Sequence, residues 1–301
     1  MVEFENILDE EYQPMLRHVA YQSVFLDVDS CLCGIEGIDE LGRMHGKTEE
    51  IARLTQSAMN GEIPFDSVFR KRLDLIRPRQ EDLSRIGELY IQTLTTDSQE
   101  VIRALKDQGA DVYLLSGGYD AAILHVARHL GLLDKQVIAN TLYFDQDGNY
   151  AGFDETNPLC RQGGKKAAII NLKRRRVIWG YTAIVGDAVS ELETKPITDI
   201  RIGFGGHVQR EKVIDEADVF IPHCSLAPLV PLLVGREGIG GIVDYQPRHR
   251  EILHKGFKML EALEFSRRAH DLRQDLLKLY QKLPSVVFEE SYPVKPEWKG
   301  Y

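Results

Sequence analysis

The sequence is short of cysteine, of basic charge and of long apolar runs, and each shortage excludes something. Its four cysteines among 301 residues, Cys31, Cys33, Cys160 and Cys224, fall at no metal-ligand spacing. Reduced thiols in a cytoplasm are the expectation. Lys and Arg number 37 against 46 Asp and Glu, for a formal charge of -9 and a pI near 5.5. A nucleic-acid binder presents a basic surface, so no such partner is expected. The KRRR run at Lys173 to Arg176 reads as a solvated helix end. No apolar run approaches the ~20 residues of a membrane helix, and the acidic, polar N-terminus is unlike a secretory signal. No membrane association is expected.

What is present is ordinary globular composition, 43% hydrophobic and 28% charged, on a chain long enough for one core plus an inserted or appended domain. Short β-branched and aromatic runs recur at Val24 to Leu26, Val112 to Leu115, Val177 to Val185, Ile200 to Phe204 and Val219 to Ile221. These read as buried strands. Between them lie helical patterns, among them Ser98 to Gly109 and Tyr119 to Gly131. The alternation predicts an α/β fold with a doubly wound, Rossmann-like parallel sheet. One hairpin is expected at TLYFDQDGNYAGF, around Asp147-Gly148.

From 39 to 93 the strand signal vanishes, which predicts a small helical cap inserted after the first strand. The core is then expected over 21–38 and 94–227, with an N-terminal extension over 1–20 and a helical C-terminal extension over 228–301. In that last segment Ile252, Met259, Leu260, Leu263, Leu276 and Leu279 repeat at roughly helical spacing across a long amphipathic stretch, Pro247 to Leu283. They predict packing on the chain's own core or, alternatively, a homodimer contact.

In an open parallel sheet, ligands sit beyond the carboxyl ends of the strands. Four polar signals fall there: Asp27 with Asp29, Ser116 with Gly117 and Gly118, Lys165, and Gly186 with Asp187. Any one such Asp is commonly a turn or capping residue; the coincidence of four is not explained that way. Close carboxylates repel and raise one another's pKa unless a cation intervenes. With oxygen ligands alone, Mg2+ is the natural candidate. In such a site Asp27 attacks phosphorus, Asp29 moves the proton, Ser116 donates to the phosphoryl group and Lys165 neutralises charge.

The order DVDS, LLSGG, Lys165, VGD resembles the haloacid dehalogenase superfamily of aspartate-nucleophile phosphatases, and more narrowly the phosphoserine phosphatase family. The stretches EGIDEL from Glu36, AMNGEIPFDSVFRKRL from Ala58, YAGFDETNP from Tyr150, GGK from Gly163 and IGFGGHVQR from Ile202 extend the resemblance. It runs from about Val24 to Ile221. The resemblance implies a Mg2+-dependent hydrolase that converts phosphoserine to serine through an aspartyl phosphate on Asp27, with Asp29 as general acid and base. It further implies that Ser116, Gly117 and Lys165 receive the phosphate, while Asp27, Asp187 and the backbone carbonyl of Asp29 hold the metal. Glu36 would receive the substrate ammonium and Arg72 its carboxylate, a pairing suited to the zwitterionic end of an amino acid phosphate.

Two departures stand out. The last motif reads GDAVSE, with Ala188 and Glu191 at positions where the family usually has glycine and aspartate; Ser190 and Glu191 are expected around the metal's outer ligands. Cys31 replaces the usual threonine. The changed loop keeps two alternatives open: a phosphatase or phosphotransferase for another small phosphorylated metabolite, and a non-catalytic binder of phosphorylated amino acids. His125 and His129, four apart on one helical pattern, have no third ligand nearby, so no zinc is assigned.

Overall fold

The computed structural model describes residues 15–59 and 65–283. The five expected strands, joined by two that were not expected, β3 and β9, form a seven-stranded sheet in the order β3-β2-β1-β6-β7-β8-β9. Its members are β1 (Ser23–Leu26), β2 (Asp111–Tyr119), β3 (Val137–Asn140), β6 (Thr182–Gly186), β7 (Ile200–Phe204), β8 (Val219–Ile221) and β9 (Glu264–Phe265). Neighbours run parallel except β9, which adds antiparallel to the β8 edge. This is the doubly wound, Rossmann-like sheet expected from the alternation of strands and helices. A separate hairpin, β4 (Leu142–Phe144) and β5 (Tyr150–Phe153), turns through Gly148 at φ 76.

Both faces of the sheet are buried, as continuous apolar strands require. Val24 and Leu26 of β1, Val112 and Leu114 of β2, and Ala183 and Val185 of β6 enter one large apolar cluster. Their alternates Phe25, Tyr113, Leu115 and Ile184 enter a second on the opposite face. The strand period of two thus sorts one short run into two cores.

Four helices form the insert between β1 and β2: α1 (Gly37–Met44), α2 (Thr48–Met59), α3 (Phe65–Ile76) and α4 (Gln80–Gln92). The insert begins at Gly37, two residues before the expected boundary. It rests on the hairpin: Phe69 meets Phe153 edge-on at 5.0 Å, Arg70 pairs with Glu155 at 2.7 Å, and Gln80 N donates to Gly148 O at 3.0 Å. The remaining helices of the core are α5 (Ser98–Asp107), α6 (Asp120–His129), α7 (Gly164–Arg174), α8 (Val189–Leu192) and α9 (Glu211–Glu216). Helix α7 ends in the KRRR run, whose Arg174, Arg175 and Arg176 are exposed as expected. Beyond β8 follow α10 (Leu229–Leu233), α11 (Gly235–Tyr245), α12 (Arg250–Lys258) and α13 (His270–Tyr280). No helix among the described residues is long and apolar enough to cross a membrane.

Two expectations need correction. The strand expected from Val177 starts only at Thr182, because Arg176 at φ 54 and Gly180 at φ 68 turn the chain and leave Trp179 64% exposed. The long amphipathic stretch from Pro247 is not one helix, since β9 breaks it. That strand is only two residues long and carries no alternation to read. It is held by Ser266 N donating to Asp218 O (2.9 Å) and by Asp218 pairing with both Arg201 and Arg268.

The C-terminal extension has no core of its own. Ile252, Leu260, Leu263 and Leu276 are buried in the same cluster as Val24, with Met259 and Leu279 packed against it. The apolar positions on which a homodimer contact is expected are therefore used inside the chain. Residues 1–14 of the N-terminal extension, 60–64 within the stretch starting at Ala58, and the Pro-rich end over 284–301 lie outside the described residues. If the extension shares the main core, Leu276→Ala is expected to cost about 2–4 kcal/mol of global stability in a urea unfolding curve. A separate second transition would contradict this packing.

Candidate active site

Register builds the site. Leu26 of β1 pairs with Leu114 of β2 on one side and Val185 of β6 on the other. One step beyond, Asp27 N still donates to Val185 O at 2.9 Å. Asp27 and Asp187 thus follow directly on the ends of β1 and β6, and Ser116, within the neighbouring β2, lies within one residue of their level. Lys165 joins them from the first turn of α7, and Glu191 from α8.

Asp27 Oδ1 lies 2.8 Å from Lys165 Nζ and accepts from Val28 N at 2.9 Å. Lys165 Nζ also contacts Glu191 Oε1 at 2.5 Å. Asp187 is paired with Arg210, whose Nη1 also donates to the Asp187 carbonyl at 3.0 Å. Donor atoms of Asp27, Asp187 and Glu191, all buried, lie within 4.8 Å of one another. Burial pushes the Asp27 carboxyl well up; Lys165 opposes this, and Glu191, Asp187 and Asp29 add repulsion. Asp187 is also raised, first by burial, with Arg210 pulling it back. For Lys165, burial disfavours the charge, but Asp27 and Glu191 outweigh it and raise its pKa. Three buried carboxylates against two cationic side chains leave negative charge in a desolvated place, and every donor is a hard oxygen. That set fits a divalent cation such as Mg2+. Among the described residues it is the only such group of three.

Asp29 turns the other way. Its Oδ1 accepts from Gly37 N (2.7 Å) and Tyr90 OH (2.5 Å), and its Oδ2 from Ser116 Oγ (3.0 Å). Ser116 Oγ in turn accepts from Gly118 N at 2.8 Å. Gly117 is exposed, and its carbonyl accepts from Asn140 Nδ2 at 2.8 Å. Glu36 Oε1 accepts from Ser30 Oγ at 2.6 Å. Ser30 sits at φ 53, so the chain reverses here and brings Glu36 back toward Asp29. Among the described residues, Arg72, on α3, makes one long contact, to Thr55 Oγ1 (3.4 Å), and its buried Nε has no partner. The Arg72 charge is felt at Asp39 and at Tyr119.

The departures of GDAVSE find local explanations. Ala188 adopts φ -119 and ψ 169, extended backbone that needs no glycine. The longer Glu191 places Oε1 on Lys165 while Oε2 accepts from Ala188 N at 2.9 Å, and Ser190 Oγ donates to Oε1 at 2.8 Å. Glu191, expected around the outer ligands, thus stands within the carboxylate cluster itself. Cys31 is buried, and burial pushes its thiol well above the ordinary range, so it is held as a thiol. Its carbonyl accepts from Thr95 Oγ1 at 2.5 Å. His125 is half-buried against Gly87 and His129 is exposed, and among the described residues neither joins a ligand cluster. Two residues that contact the site were not singled out from sequence. Arg210 lay inside the quoted IGFGGHVQR stretch, but Tyr90 sits in a helical segment where nothing distinguishes it from core.

No family model matches the chain. Over 199 residues it is 37% identical to a phosphoserine phosphatase of Bos taurus, covering 66% of this chain and 88% of that one. The chain belongs to the phosphoserine phosphatase family. The corresponding Homo sapiens protein is 36% identical over 208 residues, 68% of this chain and 92% of that one. A substrate-bound phosphoserine phosphatase matches with a TM-score of 0.59 and 27% identity, covering 71% of this chain and 98% of that one. A phosphoaspartyl-intermediate analogue of phosphoserine phosphatase matches with a TM-score of 0.58 and 26% identity, over 71% and 99%.

The family setting draws attention to Glu36, whose carboxyl is pushed up to about 7 by burial first and the Asp29 charge second, against the Ser30 hydrogen bond. The folded chain therefore holds this proton more tightly than an unfolded glutamate with its value of 4.5. Stability from this group is present at low pH and is lost as pH rises to about 7. Glu36→Gln, uncharged throughout, is expected to lack that loss. With a chelator present, its thermal midpoint should gain on the native chain between about pH 5 and about pH 7.5. A constant difference across that window would contradict the shift.

Proposed function

We propose that the protein is a Mg2+-dependent phosphoserine phosphatase that works through an aspartyl phosphate on Asp27. The observation that carries this is the clustering of Asp27, Lys165, Asp187 and Glu191 beyond the carboxyl ends of the strands, with Asp29 and Ser116 alongside. Asp27, Asp187 and the backbone carbonyl of Asp29 would hold Mg2+, with Glu191 beside them; when bound it neutralises the carboxylates and the phosphate oxygens.

Asp27 stands at the strand end with Lys165 on one oxygen, placed to act as nucleophile. Attack forms its bond to phosphorus as the bond to the seryl oxygen breaks. Asp29 gives that oxygen a proton, then takes one from the water that cleaves the aspartyl phosphate. Ser116 and the backbone at Gly117 receive the phosphoryl oxygens, while Lys165 offsets charge on them and on Asp27. Glu36, nearby in the same loop, takes the substrate ammonium. Arg72 takes the carboxylate, which would supply an acceptor to its buried, unpartnered Nε. A buried N–H without an acceptor is costly, so a substrate carboxylate at Nε would relieve it.

A phosphate-release screen over both enantiomers of phosphoserine, phosphothreonine and other monoesters, with and without Mg2+, tests the reading. Phosphoserine should be turned over only with the metal, and Asp27→Asn should lower kcat by at least about 10^3-fold. Arg72→Lys, which cannot grip a carboxylate at two points, should raise KM for phosphoserine about tenfold or more. It should leave KM for a monoester without a carboxylate nearly unchanged. Turnover of other monoesters but not phosphoserine would refute the substrate assignment.

A further inference from the structure

Every oxygen of the Asp29 carboxylate is engaged, and the two are engaged differently. Oδ1 takes two donors, Gly37 N at 2.7 Å and Tyr90 OH at 2.5 Å. Oδ2 has, among the described residues, only Ser116 Oγ, at 3.0 Å. Tyr90 is fully buried on α4, 61 residues along the chain from Asp29. Its hydroxyl donates to the carboxylate, which accepts.

The approach of this hydroxyl depends on a missing side chain. A Cβ on Gly37 would lie 2.3 Å from Tyr90 OH and 3.4 Å from Asp29 Oδ1. On the other side of the carboxylate, a Cβ on Gly118 would lie 3.0 Å from Asp29 Oδ2 and from Ser116 Oγ. Space is thus kept at both oxygens, filled at Oδ1 by the tyrosine and left narrow at Oδ2 beside the serine.

We propose that Tyr90 is a positioning residue for proton transfer, fixing Oδ1 of Asp29 as a permanent acceptor so that Oδ2, facing Ser116, carries the proton. The inference rests on the reading of Asp29 as the general acid and base. In the first step the P–O bond to the seryl oxygen breaks as the bond from Asp27 to phosphorus forms, and the proton on Oδ2 passes to the departing oxygen. In the second, a water oxygen bonds to phosphorus, its proton returns to Oδ2, and the Asp27–phosphorus bond breaks. One oxygen serves both transfers because the other is locked. Since α4 belongs to the cap, the cap supplies a side chain that orients the acid, beyond covering the site.

A buried hydroxyl that only needs an acceptor would give the same contact, so the test must separate placement from stability. Tyr90→Phe keeps the ring and removes the donor. Its kcat/KM for phosphoserine is expected to fall about tenfold or more. That for p-nitrophenyl phosphate, whose leaving group departs without a proton, should change less than about twofold. kcat/KM reports only the steps through formation of the aspartyl phosphate, so the second transfer does not mask the difference. Equal falls with both substrates, or no fall with either, would overturn the proposal. Melting curves provide a reading independent of turnover. Gly37→Ala should lower the thermal midpoint, and adding Tyr90→Phe should recover part of that loss; full additivity would show that the close contact is not made. A native chain that releases no phosphate from phosphoserine refutes the assigned activity, whereas an active chain indifferent to Tyr90→Phe refutes this inference alone.

Discussion

The structure depends on keeping several carboxylates close together at the buried end of a parallel sheet. Asp27, Asp187 and Glu191 repel one another where water cannot screen them, and the desolvation of each is expensive. Lys165 answers two of them and Arg210 the third. Remove either cation and an uncompensated buried charge remains, commonly a loss of about 3–5 kcal/mol. The residual negative charge makes a cation site from side chains that would otherwise only destabilise the fold.

That arrangement requires strands in register and loops that reverse at once. Asp27, Ser116 and Asp187 come from three adjacent strands, so a slip of one residue would turn each to the wrong face. Ser30 in the left-handed region and the nearby Gly37 bring Glu36 and Asp29 back over the strand end. The cap then closes on the hairpin through Phe69 and Arg70, and it reaches the centre through Tyr90. The helical insert and the core are therefore joined by several polar contacts, that of Tyr90 with Asp29 among them, as well as by apolar packing.

The C-terminal extension stabilises from behind. Its apolar side chains enter the main cluster, and β9 covers the β8 edge, leaving fewer open backbone groups on that side of the sheet. Asp218, bonded to Arg201 and Arg268, pins that edge with a buried ion pair network. The same network explains how a two-residue strand persists without a hydrophobic pattern of its own.

Local pattern alone determined much of this protein. Buried strands announce themselves by β-branched runs, and Asp27, Asp29, Ser116, Lys165 and Asp187 drew attention because parallel sheets put chemistry near the carboxyl ends of their strands; Ser116 proves to lie within β2 and Lys165 on α7. The helical insert was legible from its period, while Glu36 and Arg72 were singled out by motif resemblance alone. Tertiary structure decided the rest. Glu191 joins the carboxylate cluster because one added methylene spans to Lys165, a distance no spacing rule encodes. Tyr90 reads as one more apolar residue on a helix until the fold sets its hydroxyl against Asp29. β9 is held by its pairing with β8 and by Asp218, which ties it down beside Arg201 and Arg268. Periodicity reports which face a side chain takes, whereas these three depend on contacts between segments far apart in the chain, which only packing brings together.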